Sequence, residues 1–229
     1  MTPSFVASIL AFIAPGLAYI LPAERVVLEL VRVRENALPL RIDAALRGIV
    51  SSWPEQVILE LHPDFGLRVS DTEGGSWLLR QGRVVAGSPS RAPLWIPDIE
   101  ILALRTEEGL RAWLRRARVD LSRNELARCG ESDCFILGGT RSPGQVWLDK
   151  DRFEVVRVVL PEGRQLVFEG YQDWSGVRFP RDIKVLDAHG LLATLSVQRL
   201  GAAPDLGADD FSPQNMGQSP PGNRSTQLP

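Results

Sequence analysis

Histidine and cysteine are nearly missing: two of each occur in 229 residues. That scarcity removes most metal and nucleophile chemistry. A structural zinc site takes four ligands, and two cysteines without neighbouring histidines do not supply them. His62 ends an alternating stretch and His189 stands in a turn, so both read as surface histidines. Also absent are the Gly-x-Ser-x-Gly elbow, the phosphate-binding Walker loop and the dinucleotide-binding glycine pattern. Gly138-Gly139-Thr140 is followed by Arg141, not by the lysine a Walker loop requires, and reads as a turn. Glycosidases need two converging carboxylates. Glu154, Glu169, Asp173 and Asp182 fall on polar strand faces or in turns, and the sequence singles out no pair among them. No catalytic residue, metal ligand set or cofactor is therefore nominated. Nor is there an excess of positive charge. The net charge of −2 gives no electrostatic reason to expect nucleic acid. One arginine cluster, Arg111, Arg115, Arg116 and Arg118, falls on the solvated side of a helix, with an acidic partner as the alternative.

What is present begins with an uncharged apolar run, residues 5–21, broken by Pro15-Gly16. Its length suits a secretory segment better than a membrane span, which needs about 20 apolar residues. Ala18 and Ala23 are candidate cleavage positions, and an uncleaved anchor is the alternative. Cys129 and Cys134 bracket a turn-like Gly130-Glu131-Ser132-Asp133. A disulfide across that hairpin fits an oxidising compartment, with two buried free thiols as the other reading.

Periodicity then divides the chain. Residues 22–36 predict a helix stopped by Pro39. Period-two alternation marks strands at 40–50, 56–62, 66–71, 76–80 and 83–86. A Pro- and Ser-rich loop (87–97) and a short helix (98–104) interrupt them. Thr106 caps a second helix, whose Leu110, Trp113, Leu114 and Ala117 recur at helical spacing. Two strands follow at 119–128 and 135–138. Five more are expected at 145–149, 154–160, 164–173, 177–187 and 190–200, joined by polar turns that set neighbours antiparallel. Phe211 offers one ring to plug into the body, and residues 214–229 have the composition of a disordered tail.

Within 144–200 the wording is more specific. Gln145-Val146-Trp147-Leu148-Asp149-Lys150 is a strand ending in an Asp-Lys turn. Val156-Arg157-Val158 is a strand with a central arginine, and Val167-Phe168-Glu169-Gly170-Tyr171 an aromatic one. Gly176-Val177-Arg178-Phe179-Pro180-Arg181-Asp182-Ile183 is a Gly-x-x-x-Pro strand. This succession resembles the periplasmic lipoprotein-localisation carriers, LolA and LolB, and the outer-membrane lipoprotein-sorting proteins like them.

The resemblance implies an α+β fold: an open, unclosed antiparallel β-barrel of about 10–11 strands with helices covering the concave face. It implies one lipid-binding domain over 22–213, behind a signal or anchor at 1–21. It implies a monomeric, non-enzymatic carrier in the periplasm, or one held to the inner membrane by its N-terminal segment. The carrier would shelter an acylated lipoprotein or lipid between a donor at the inner membrane and an acceptor at the outer. The cavity lining would come from the inward sets: Ile42, Ala44 and Leu46; Val57, Leu59 and Leu61; Leu67 and Val69; Val156 and Val158; Ile183 and Val185; Leu195 and Val197. Leu110, Trp113 and Leu114 would form the lid. Three other readings stay open: a sensor domain of the same fold that binds a protein, a β-domain with a filled core, and a hydrolase.

Overall fold

The computed structural model describes residues 20–48, 53–87 and 95–215. In chain order these form α1 (Ala23–Arg32), β1 (Leu40–Gly48), β2 (Gln56–His62), β3 (Gly66–Asp71), β4 (Ser76–Arg80) and β5 (Arg83–Gly87). A 3₁₀ segment (Ile96–Leu102) and α2 (Glu107–Arg116) come next. Then follow β6 (Asn124–Cys129), β7 (Ser132–Leu137), β8 (Gln145–Asp149), β9 (Val155–Val159), β10 (Gln165–Glu169), β11 (Gln172–Trp174), β12 (Val177–Phe179), β13 (Asp182–Asp187) and β14 (Gly190–Ala202). Twelve strands make one antiparallel sheet in the order β5-β4-β3-β2-β1-β14-β13-β10-β9-β8-β7-β6, while β11 and β12 pair only with each other. The terminal strands β5 and β6 do not meet, so the barrel is open.

Register explains the apolar wall. Ala193, Val185, Leu166, Val158, Val146 and Leu137 form one row across β14, β13, β10, β9, β8 and β7. Every member is at most 1% exposed. A second row, Trp77, Val69, Leu59, Ile42 and Leu200, crosses β4, β3, β2, β1 and β14. Both rows belong to one continuous core, which also takes in Val26, Val27 and Leu30 of α1, Trp95, Ile96 and Ile99, and Leu110, Trp113 and Leu114 of α2. Alternation puts apolar residues on one face of the pleat, and the amphipathic helices cover that face.

The covering elements are short and locally specified. Thr106 Oγ1 accepts the Gly109 N–H at 3.2 Å and caps α2, whose first turn carries Glu107 and Glu108 and whose last turn carries Arg115 and Arg116. In α1, Glu29 holds Arg25 at 2.9 Å and Arg32 at 2.7 Å. Arg111 joins the helices through Glu24 and also bonds Glu107 at 2.7 Å, so this member of the arginine cluster is used within the chain.

The outer face of β2, β3 and β4 is covered too. After Ala203 the chain crosses it and buries Phe211 against Leu78, Ala203 and Leu206. Arg68 Nη1 donates to the Asp210 carbonyl at 2.9 Å, and Arg80 Nη2 to that of Phe211 at 2.6 Å. Beneath lies Glu60, 1% exposed, bonded to Arg68 and to Arg41 Nε at 3.0 Å. A buried carboxylate is tolerated when cations and hydrogen bonds saturate it. His62 stacks on Phe65, with ring centroids 4.2 Å apart, at the margin of this layer.

Three expectations change. The predicted strand at 164–173 is two strands, β10 and β11, and the one at 177–187 is β12 and β13. Gly170 takes φ +64°, and Pro180, which cannot donate to a ladder, precedes a break where the Arg181 N–H bonds the carbonyls of Glu169 and Gly170. The strand predicted from residue 119 starts at Asn124, because Asp120 closes a turn by accepting the Ser122 N–H at 3.0 Å. The first 19 residues and the tail beyond 215 lie outside the described residues.

Candidate functional site

Where the sheet breaks, a cleft of about 420 Å³ opens, within the roughly 300–1,000 Å³ range of small-molecule sites. One wall is the end of α1 and the turn after it, from Arg32 to Leu38. The opposite wall is the β11–β12 hairpin with the Arg152–Glu154 turn. Leu40 and Leu102 reach it from β1 and from the end of the 3₁₀ segment. The hairpin turns on Ser175 (φ +55°) and Gly176 (φ +89°), the two positive values of a type I′ turn. Trp174 Nε1 donates to the Phe179 carbonyl at 3.2 Å and pins the hairpin to itself.

Polarity in the cleft is graded. Leu40, Phe179 and Pro180 are buried at the floor and Phe153 and Tyr171 are half-buried, while Arg32, Arg152 and Arg178 are exposed at the rim. Tyr171 Oη donates to the Val155 carbonyl at 2.8 Å, and burial pushes its phenol up. Arg178 bonds Glu154 Oε1 at 2.7 Å, and that bond raises its pKa. Its guanidinium lies 6.0 Å from the Tyr171 ring centre, within cation–π reach. Arg34 is different. Its Nη1 donates to the carbonyls of Ile101 at 2.5 Å and Leu104 at 3.5 Å, tying the turn after α1 to the end of the 3₁₀ segment. Burial pulls its pKa down to about 10, so it stays cationic at neutral pH.

A second tie holds the other side of the covering segment. Glu100 is 6% exposed and accepts the N–H groups of Gln81 at 3.1 Å and Gly82 at 2.9 Å in the β4–β5 turn. Arg116 Nη2 lies 3.9 Å away. Gly82 has φ +71°, a left-handed backbone that favours glycine, and a Cβ there would also push the Arg116 guanidinium aside. Burial raises the pKa of Glu100 and lifts that of Asp98 to about 6, against the opposing pull of Arg164 and Arg116 on Asp98.

Of the seventeen residues expected to line a cavity, the structure brings sixteen into the single core, none more than 6% exposed. Val156 is the exception. Trp147 pairs with Arg157 but Leu148 with Val155, so a β-bulge leaves Val156 half-buried and turns Val155 inward in its place. None of the seventeen lines the cleft. In this conformation the inner wall carries Trp95, Ile96, Ile99 and Trp113 packed against it, with exposures of 1% or less. The cleft residues escaped the sequence because they come from turns and from a strand break. The legible hints were Pro180 inside a strand pattern and Arg181 breaking its parity.

Catalytic geometry does not gather around the residues the sequence raised. Glu154 faces Arg178, Glu169 faces Lys184 at 2.6 Å, Asp173 accepts the Gly176 N–H at 2.7 Å, and Asp182 binds Ser196 at 2.7 Å and Arg181 at 2.8 Å. Each carboxylate meets a cation or a turn rather than another carboxylate. His189 lies in the β13–β14 turn, its N–H bonded to Asp187 Oδ1 at 2.7 Å. Among the described residues no three His, Cys, Asp or Glu side chains gather to hold a metal, and no helix is long and apolar enough to cross a membrane. Cys129 and Cys134 are joined in a disulfide at the tip of the β6–β7 hairpin, with Cα atoms 6.0 Å apart.

No protein-family model and no curated protein matches the sequence. Solved structures do match. A LolA-superfamily protein from Nitrosomonas europaea overlays with a TM-score of 0.53 at 15% identity, covering 84% of this chain and 98% of that one. An outer-membrane lipoprotein-sorting protein domain from Vibrio parahaemolyticus gives 0.42 at 13% identity, over 86% and 100%. Only the first exceeds 0.5, and at that identity it speaks for the fold alone. The open antiparallel barrel, covered from within by two helices and a 3₁₀ segment, makes this chain similar in fold to the LolA superfamily.

Proposed function

We propose that the chain is an exported, non-enzymatic carrier that holds acyl chains between its sheet and its covering elements. Residues 22–213 would act as one binding unit, and residues 1–21 would direct export or anchor it. The observation that carries this reading is the graded cleft. It meets the apolar core at Leu40, Leu102 and Phe179, where the covering segment ends and the sheet is interrupted. The similarity of fold supports it, as does the resemblance of residues 144–200 to lipoprotein-localisation carriers.

The packed interior dictates how loading would work. An acyl chain would displace part of the cover rather than fill an empty hollow. Each buried methylene contributes about 0.8 kcal/mol, and that gain offsets the lid contacts given up. The cover suits displacement, because side-chain ties such as those of Arg34 and Glu100 fasten its 3₁₀ segment on either side. Release then needs a partner that favours the covered form or offers the ligand a better site.

Two measurements on the purified protein test this: mass spectrometry of its solvent extract, and titration with a fluorescent fatty acid. Co-purifying acylated molecules, or saturable uptake, is the expected result. An extract free of them, together with no uptake, overturns the carrier reading.

A further inference from the structure

Four arginines, Arg32, Arg34, Arg152 and Arg178, are among the residues that line the cleft, against one acidic residue, Glu154. The whole chain is net negative at −2, so this excess is local. Glu154 is engaged by Arg178, and Arg32 by Glu29. Arg152 forms no ion pair among the described residues, and Arg34 bonds only carbonyl oxygens there. Arg152 at the exposed rim and the half-buried Arg34 therefore lack an anionic partner. The exposed arginines stand above a buried apolar floor, and Val33 and Leu38, 51% and 53% exposed, are apolar on the same wall.

From this we infer that the cleft selects amphiphiles with an anionic headgroup, a phosphate or carboxylate set among the arginines while the acyl chain runs inward past Leu40 and Phe179. The inference rests on the carrier reading and adds the headgroup to it. Charge-assisted bonds from guanidinium to phosphate are strong and can be bidentate, and an aqueous rim weakens them without abolishing them. A neutral headgroup would leave the uncompensated cations as they are. A zwitterionic one would bring its own cation against them.

The experiment is calorimetric titration of the full chain with lysophosphatidate and with a monoacylglycerol of the same chain length, both below their aggregation concentrations. Lysophosphatidate is expected to bind about tenfold more tightly in low salt. Salt at 0.5 M, and Arg152→Glu at the exposed rim, are each expected to reduce that advantage, taken as the ratio of the two affinities, to about threefold or less. Arg32→Gln, on the other wall, should reduce it in the same direction. Inorganic phosphate is expected neither to bind tightly nor to displace lysophosphatidate. Equal affinity for the two amphiphiles overturns the headgroup inference and leaves the carrier reading standing. Failure of both to bind overturns both. Binding of phosphate alone as tightly as lysophosphatidate marks a free-anion site and also overturns the inference.

Discussion

Replacing Glu100 by glutamine probes whether the cover moves. The carboxylate accepts two backbone N–H groups, from Gln81 and Gly82, and faces Arg116. Glutamine keeps the size but has one acceptor oxygen, and its NH₂ turns a donor toward a donor. One charge-assisted bond worth about 1.5–3 kcal/mol is lost, along with the attraction to Arg116. Against this, a buried charge is removed, and its burial already raises the Glu100 pKa. The balance is a covered state weaker by about 1–2 kcal/mol, or about 3–6 °C in Tm for a chain of this size. If acyl chains must displace the cover, the same 1–2 kcal/mol returns as ligand affinity, a gain of about five- to thirtyfold. Thermal denaturation and fluorescent fatty-acid titration of Glu100→Gln and the parent protein measure the two quantities side by side. Lower stability with unchanged affinity would refute the reasoning, because the cover would then be fixed structure that the ligand never moves.

Three further outcomes are expected. Asp98 has its pKa raised to about 6 from an ordinary 3.8, so the folded form binds its proton more tightly than the unfolded form. Stability from this group is therefore greatest at acid pH and falls as pH rises through about 4 to 6; discounted for its partial exposure, the gain from pH 7 to pH 5 is about 1 kcal/mol, and Asp98→Asn should erase that part of the pH–stability profile in denaturant titrations. Cys129→Ala with Cys134→Ala should lower unfolding free energy by about 2 kcal/mol through the entropy of a short loop, with fatty-acid affinity unchanged because the hairpin tip lies away from the cleft. Phe211→Ala should cost about 3 kcal/mol by emptying the small outer cluster, measurable by chemical denaturation, again without altering uptake.

Strand positions were legible because alternation is written directly into runs such as Leu40–Ile42–Ala44–Leu46 and Val57–Leu59–Leu61. The bounds of β2, β3, β4 and β8 fall at the predicted residues. The Val155 bulge was not legible: three of the four residues 155–158 are valine, and only the pairing with Trp147 and Leu148 decides which one turns inward. The hairpin excursion at β11–β12 was masked by good strand residues on both sides of Gly170 and Pro180. For the site, the sequence supplied the apolar wall but not its occupancy. An apolar strand face has the same periodicity whether it meets a ligand or Trp113. Arg32, Arg152 and Arg178 lie far apart along the chain, and nothing short of the folded register could bring them to one rim.

The first strand of the sheet, β1, pairs with the last, β14, and Leu40 stands opposite Ala202. The outer layer spans a similar distance, since Arg68 reaches a carbonyl 142 residues further on. A chain that emerges amino end first can form its hairpins early, but it cannot join the two wings of the sheet until residue 200 or so is free. Loop closure over such distances is slow. Until then β1 lacks one neighbour, and the C-terminal segment that buries Glu60 is not yet available. The order in which this polypeptide appears thus keeps the two wings of its sheet apart until the strand that joins them has emerged, so the native state forms late in synthesis rather than hairpin by hairpin.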